Sequence, residues 1–162
     1  MPDTPQWIGT FLQGRRYAVL ATHNDDGSIH LTPVWYLFED GQFLVGTSST
    51  SRKARNISAR PNASLVVDGR TLGSECWVSV SGSAQILGGE ASRAINKRIL
   101  QRYLTEEALQ HSPIGPGLAA TDDVTICLQP VKWRSWDLKS LDAQFFGGIL
   151  AQSPQKWFLP LD

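Results

Sequence analysis

Gln42-Phe-Leu-Val-Gly-Thr-Ser-Ser-Thr-Ser-Arg-Lys-Ala-Arg-Asn56 reads as a strand that runs directly into a capped, basic helix. Phe43 and Val45 alternate with Leu44 and Gly46, which predicts a strand buried on both faces or closely approached at Gly46. From Ser48 onward, hydroxyls and three cations crowd into the first helical turns. Thr50 or Ser51 can serve as the N-cap, leaving Arg52, Lys53 and Arg55 to supply charge. A helix start exposes four unpartnered backbone N–H groups at the positive end of the dipole, so an anion gains hydrogen bonds and field there together. Taken alone, the run also fits a solvated basic face. Its flanks decide between the two.

Upstream, Thr4-Pro5 is an N-cap and first-turn pair, and Ile8, Phe11 and Leu12 recur at helical spacing before Gly14. Tyr17 to Thr22 is an apolar strand ending at the turn Asn24-Asp-Asp-Gly27, and Ile29 to Phe38 resumes strand character, which predicts a hairpin. A second turn, Glu39-Asp-Gly41, leads into the opening strand. Downstream, Arg60-Pro-Asn62 stops the helix and Ala63 to Asp68 is another strand. Trp77 to Leu87 is one long strand or two short ones bent at Gly82. Glu90 to Gln110 carries a helical apolar stripe, Ser112 to Gly117 reads as a loop, and Val124 to Leu128 and Lys132 to Leu138 read as closing strands bent apart at Pro130. Seven or eight antiparallel strands with two or three helices predict a mainly β, closed or nearly closed barrel with helices at its openings, in a single domain spanning 1–162.

Composition narrows the chemistry. A chain of 162 residues with 15 basic and 15 acidic side chains carries no broad charged surface, so neither nucleic acid nor an anionic membrane is an expected partner. Cys76 and Cys127 stand alone, without C-x-x-C or paired histidines, and no metal site is expected. No leader-like or membrane-length apolar run occurs, which suggests a cytoplasmic protein. Neither a G-x-S-x-G elbow, a phosphate-binding G-x-x-x-x-G-K-[ST] loop nor a dinucleotide fingerprint is present. His23, His30 and His111 have no acid or nucleophile at interpretable spacing and read as polar surface or satisfied hydrogen bonders.

The order of segments resembles the pyridoxamine 5'-phosphate oxidase-like family of split-barrel flavoproteins, in particular small members related to deazaflavin-utilising reductases. The resemblance runs from Arg16 to Leu138. It rests on Tyr17-Ala-Val-Leu-Ala-Thr22, His30-Leu-Thr-Pro-Val-Trp-Tyr-Leu-Phe38, Phe43-Leu-Val-Gly-Thr47, Ser51-Arg-Lys-Ala-Arg-Asn-Ile57, Arg60-Pro-Asn-Ala-Ser-Leu-Val-Val-Asp68 and Val80-Ser-Gly-Ser-Ala84, taken in order.

The resemblance implies a six-stranded split barrel in a homodimer, with FMN held in grooves between subunits. Arg52 and Lys53 would then pair with the cofactor phosphate, with Ser48 and Ser51 supplying hydroxyls. Leu31, Thr32, Pro33, Val34 and Trp35 would run beside the isoalloxazine ring, and Thr47 would close its pocket. Gly46 would leave room for the ring or ribityl chain, or else mark a strand bulge. The partner subunit would contribute the strand around Ser79 to Gln85 and an aromatic cover from Trp136. The apolar tail from Gln144 to Leu161 would pack across the dimer or over the site.

Such a protein is either a flavin-dependent oxidoreductase acting on a small-molecule redox substrate or a non-catalytic flavin- or haem-binding protein. A deazaflavin coenzyme is the alternative cofactor. No arginine follows Leu138, so the arginine-rich substrate motif of the full vitamin B6 oxidase is missing and that activity is not expected.

Overall fold

The computed structural model describes residues 6–160, so the expected Thr4-Pro5 cap lies outside the described residues. Helix α1 spans Trp7–Gln13 and buries Ile8, Phe11 and Leu12, as their spacing predicts. Strands β1 (Ala18–His23) and β2 (Ile29–Val34) form the expected hairpin, closed by an Asn24 N–H to Ser28 carbonyl bond with Gly27 at positive φ.

The single strand expected over Ile29 to Phe38 is two. Strand β3 (Leu37–Glu39) separates from β2 at Trp35-Tyr36 because the pairing partner changes: β2 pairs with β1, β3 with β4 (Gln42–Thr47). Tyr36 turns fully inward at this corner and its hydroxyl donates to the Leu12 carbonyl. Burial pushes the Tyr36 phenol up to about 12.

Helix α2 (Arg52–Ala59) precedes β5 (Asn62–Gly69) and β6 (Cys76–Leu87), and β6 is one long strand. The helix expected over Glu90 to Gln110 is interrupted. Helix α3 (Gly89–Tyr103) stops at extended Leu104, and α4 (Glu106–Gln110) restarts because the Thr105 hydroxyl accepts the Ala108 N–H, an N-cap hidden inside a periodic run. Ser112 to Gly117 is not wholly loop: Gly115 opens α5 (Gly115–Thr121), with Pro116 in its first turn.

The two closing strands are one, β7 (Val124–Asp137). It bends rather than breaks. Ser81 pairs with Lys132 but Gly82 with Pro130, which leaves Val131 as a bulged residue. A Cβ on Gly82 would lie 1.9 Å from the Gln129 carbonyl oxygen, so only glycine permits this crossing. Helices α6 (Leu138–Phe145), α7 (Ile149–Gln152) and α8 (Pro154–Trp157) complete the described chain, taking the helices beyond the two or three expected.

All strands belong to one antiparallel sheet ordered β2-β1-β5-β6-β7-β4-β3, seven strands rather than six because the short β3 is added. The sheet curls: Val34 on one edge strand and Phe38 on the other share a core with Leu20, Leu65, Val80, Ile126 and Phe43. Helices α1 and α2 send Leu12 and Ile57 into that core, while α3 packs Ile99 on the opposite side of the sheet against Leu37, Leu44 and Cys127. The expected fold class, a mainly antiparallel split barrel with peripheral helices, is the one observed.

Candidate functional site

Ser51 is the N-cap of α2, and its hydroxyl accepts the Ala54 N–H at 3.2 Å. Thr47, the last residue of β4, donates its hydroxyl to Ser51 Oγ at 3.1 Å. Ser48 Oγ lies 2.9 Å from Thr50 Oγ1 and accepts the Thr50 N–H. The amides of Arg52 and Lys53 occupy the first helical turn, where no intrahelical acceptor exists. Asn56 anchors the helix to the β1–β2 hairpin, its Nδ2 donating at 3.0 Å to both Thr22 Oγ1 and Asn24 Oδ1. Thr47, Ser48, Ser51, Arg52 and Lys53 are therefore brought together at one helix head.

Carboxylates surround this head. Ser49 donates its N–H and its hydroxyl to Asp123, each at 2.6 Å, and these two bonds hold the Asp123 carboxyl below its usual range. Ser28's hydroxyl and amide do the same to Asp26, with a smaller contribution from Arg52. A cleft of about 590 Å³ between hairpin and helix is lined by Asn24, Asp25, Asp26, Arg52, Arg55 and Asn56. Lys53 faces the other way. Burial lowers its pKa, and Asp122 pulls it back up. Burial likewise raises Asp122, against the field of Lys53. Asp122 and Asp123 went unread in the sequence because they lie seventy-odd positions from the residues they serve; the one signal was a paired acid just before a strand.

Of the two readings expected for Gly46, the strand bulge gives way to close packing. A Cβ there would come within 3.0 Å of Asn96 Oδ1, so the constraint is Asn96 rather than a bulge. Asn96 is fully engaged: its Nδ2 reaches the carbonyls of Asp122 and Val124, and its Oδ1 accepts from Thr125 Oγ1.

Leu31 to Trp35 do not share one face. Leu31 and Pro33 lie exposed on the outside of β2, Val34 enters the core, and Thr32 Oγ1 lies 2.7 Å from His30 Nε2. Trp35 stacks on Tyr103 of α3, with ring centroids 5.1 Å apart and planes within 4°. The Tyr103 hydroxyl donates to the Arg16 carbonyl at 2.7 Å and accepts the Tyr36 N–H at 3.3 Å, so one α3 side chain holds the β2–β3 corner. Helical periodicity marked Tyr103 only as apolar stripe.

Trp136 sits at the far end of β7. Val124 pairs with Thr47, and Trp136 lies twelve positions further on, roughly 40 Å along the strand. Trp136 is 36% exposed and pairs in register with Trp77. Among the described residues no cluster of histidine, cysteine, aspartate or glutamate could hold a metal, and no helix is long and apolar enough to cross a membrane.

The sequence profile described as pyridoxamine 5'-phosphate oxidase matches residues 5–137. The chain belongs to the pyridoxamine 5'-phosphate oxidase family. The matched span of this family takes in every strand and the head of α2, and it ends where α6 begins. Among solved structures, the conserved hypothetical protein Rv2991 from Mycobacterium tuberculosis is 29% identical, with a TM-score of 0.70 over 85% of this chain and 87% of that one. An F420 reductase is 22% identical, with a TM-score of 0.62 over 81% and 98%. The haem storage protein HutZ from Vibrio cholerae is 20% identical, with a TM-score of 0.60 over 80% and 91%. The last two likenesses establish the shared fold. Among curated proteins the chain has no match.

Proposed function

We propose that this chain is an FMN-binding oxidoreductase working as a cytoplasmic homodimer, with the phosphate at the head of α2. The observation that carries the reading is the capped helix start itself. Arg52 and Lys53 present two unpartnered amides beside the Thr47–Ser51 hydroxyl pair, with the Arg52 cation on the hairpin side of the helix head and the Lys53 cation on the Asp122 side. That donor set fits a phosphate monoester. The outer side of β2 at Leu31 and Pro33 lines the ring, with the backbone of Thr32 and Val34 beside it and Trp35, just past the strand, held in plane by Tyr103. Trp136 is too far along β7 to serve the same site, so it belongs to the site of a second copy, which is why the dimer is part of the proposal.

FMN, when bound, supplies two-electron redox chemistry at its ring. The chain binds the phosphate, orients the ring against β2 and limits water with aromatic walls. Of the two cofactor readings, FMN is favoured over a deazaflavin with a longer acidic tail. Asp26, Asp122 and Asp123 fringe the helix head, and beyond Arg52, Lys53 and Arg55 the next cation, Arg60 at the far end of the helix, is paired with Asp25 at 2.7 Å. A compact monophosphate suits that ring of acids; an extended polyanion does not.

Visible absorption of the purified protein and an FMN fluorescence titration test the assignment. The double variant Arg52→Ala, Lys53→Ala should weaken FMN by about 100-fold or more, given two charge-assisted contacts of about 1.5–3 kcal/mol each. An unchanged affinity overturns the phosphate site. Turnover is read separately: a bound flavin that no donor and acceptor pair can cycle refutes the oxidoreductase reading alone.

A further inference from the structure

The helices inserted between β6 and β7 enclose a second cleft, of about 480 Å³, which shares no lining residue with the head of α2. That volume lies within the range of small-molecule sites. Its floor is apolar: Leu100, only 3% exposed, with Leu109, Pro116 and Ala119. One wall is held in place, because α5 packs so tightly on α4 that a Cβ on Gly115 would lie 2.2 Å from the Leu109 carbonyl oxygen.

Charge sets the chemistry of an occupant. Arg93 and Lys97 both line the cleft, one helical turn apart on α3, and neither is ion-paired among the described residues. Like charges at that spacing destabilise a helix, so the fold gains nothing from placing them together. An anion between them reverses the sign. The cleft's one acid, Glu106, has Oε1 engaged by Gln110 Nε2 at 2.8 Å along its own helix, and it opposes a highly charged ligand.

We infer that the α3–α4–α5 cleft binds a small molecule with a single anionic head on an apolar body. The head sits on Arg93 and Lys97 and the body lies over Leu100, Leu109 and Pro116. Asn96 also lines this cleft while its amide grips the Asp122 and Val124 carbonyls, so it forms the partition between this cleft and Gly46.

The test is an amide-resolved NMR titration of the full chain with octanoate as the probe, using octyl glucoside as the neutral-headed control. Saturable shifts confined to residues 93–101 and 106–119 are expected. The exposed double variant Arg93→Gln, Lys97→Gln should keep the native spectrum and bind octanoate at least about tenfold more weakly, as loss of a charge-assisted contact requires. Absence of saturable shifts in those segments overturns the inference. So does equal octanoate binding by the variant, or octyl glucoside binding there as tightly as octanoate.

Discussion

Strands β1, β5 and β6 have two faces with opposite fates. Leu20, Leu65 and Val80 lie side by side on the inner face, each 1–2% exposed. One residue away, Val19, Val66 and Ser79 lie side by side on the outer face and are only half-buried. The outer row continues to exposed Pro33 on β2 and to exposed Arg134 on β7; a parallel row runs Leu31, Ala21, Ser64, Ser81, Lys132. Apolar at one edge, small in the middle and basic at the other, this surface is graded rather than filled. The inner face specifies the barrel, and the outer face is the one proposed to meet the flavin and a second copy.

The largest effect that separates the faces should come from Leu65→Ala against Val66→Ala. Truncating Leu65 leaves a cavity in a packed core and should cost about 2–5 kcal/mol by urea unfolding. Val66→Ala should cost less than about 1.5 kcal/mol. Equal losses would mean that both faces are core, and the outer one would no longer be available as a binding surface.

Next comes Asn96→Ala, which takes the side-chain donor from the Asp122 and Val124 carbonyls and leaves the Thr125 hydroxyl to Ser92 alone. A loss of about 1–3 kcal/mol is expected from leaving buried polar groups unpaired. Because Asn96 is also what Gly46 packs against, the same variant makes Gly46→Ala tolerable, a coupling that a double-mutant cycle reads directly. Additive effects would break the link drawn between Gly46 and Asn96.

Leu31→Asp should change monomer stability by less than about 0.5 kcal/mol, as for an exposed position. In the proposed dimer the same change puts a charge into the interface, so light scattering at fixed concentration should report a shift toward monomer. An unaltered mass would place any self-association elsewhere than on this face.

What could be read from the chain follows the same division. Alternation and turn residues were legible where one face is filled: Asn24 to Gly27 and Asp40-Gly41 mark their hairpins, and Gly82 with Pro130 marks the bend. They misled where the cause is a distant partner. Nothing local at Trp35-Tyr36 says that the pairing passes from β1 to β4, and nothing in Glu90 to Gln110 outweighs helical period except one threonine. The helix head was legible because caps and cations are local chemistry. Its fringe of acids was not, since Asp122 and Asp123 meet Ser49 and Lys53 only after β4 and β7 pair.

The smallest predicted effect concerns that fringe. Asp123 takes two hydrogen bonds from Ser49 in the folded chain, and its carboxyl is held below the usual value of 3.8. A carboxyl with a depressed folded pKa contributes stability that is fully present above its unfolded value and is lost as pH falls through the folded one. The window is therefore below pH 3.8. Asp26, depressed by Ser28, titrates with the same sign. Asp123→Asn should flatten the acid limb of stability against pH without abolishing it, while Asp123→Asn with Asp26→Asn should flatten it further. Since Ser49 lies between the Thr47 and Ser51 hydroxyls proposed to meet the phosphate, Asp123→Asn also asks what this carboxylate does there. If it only orders the loop, FMN affinity should fall slightly; if it competes with phosphate for the Ser49 donors, affinity should rise, and a titration at neutral pH distinguishes the two by sign.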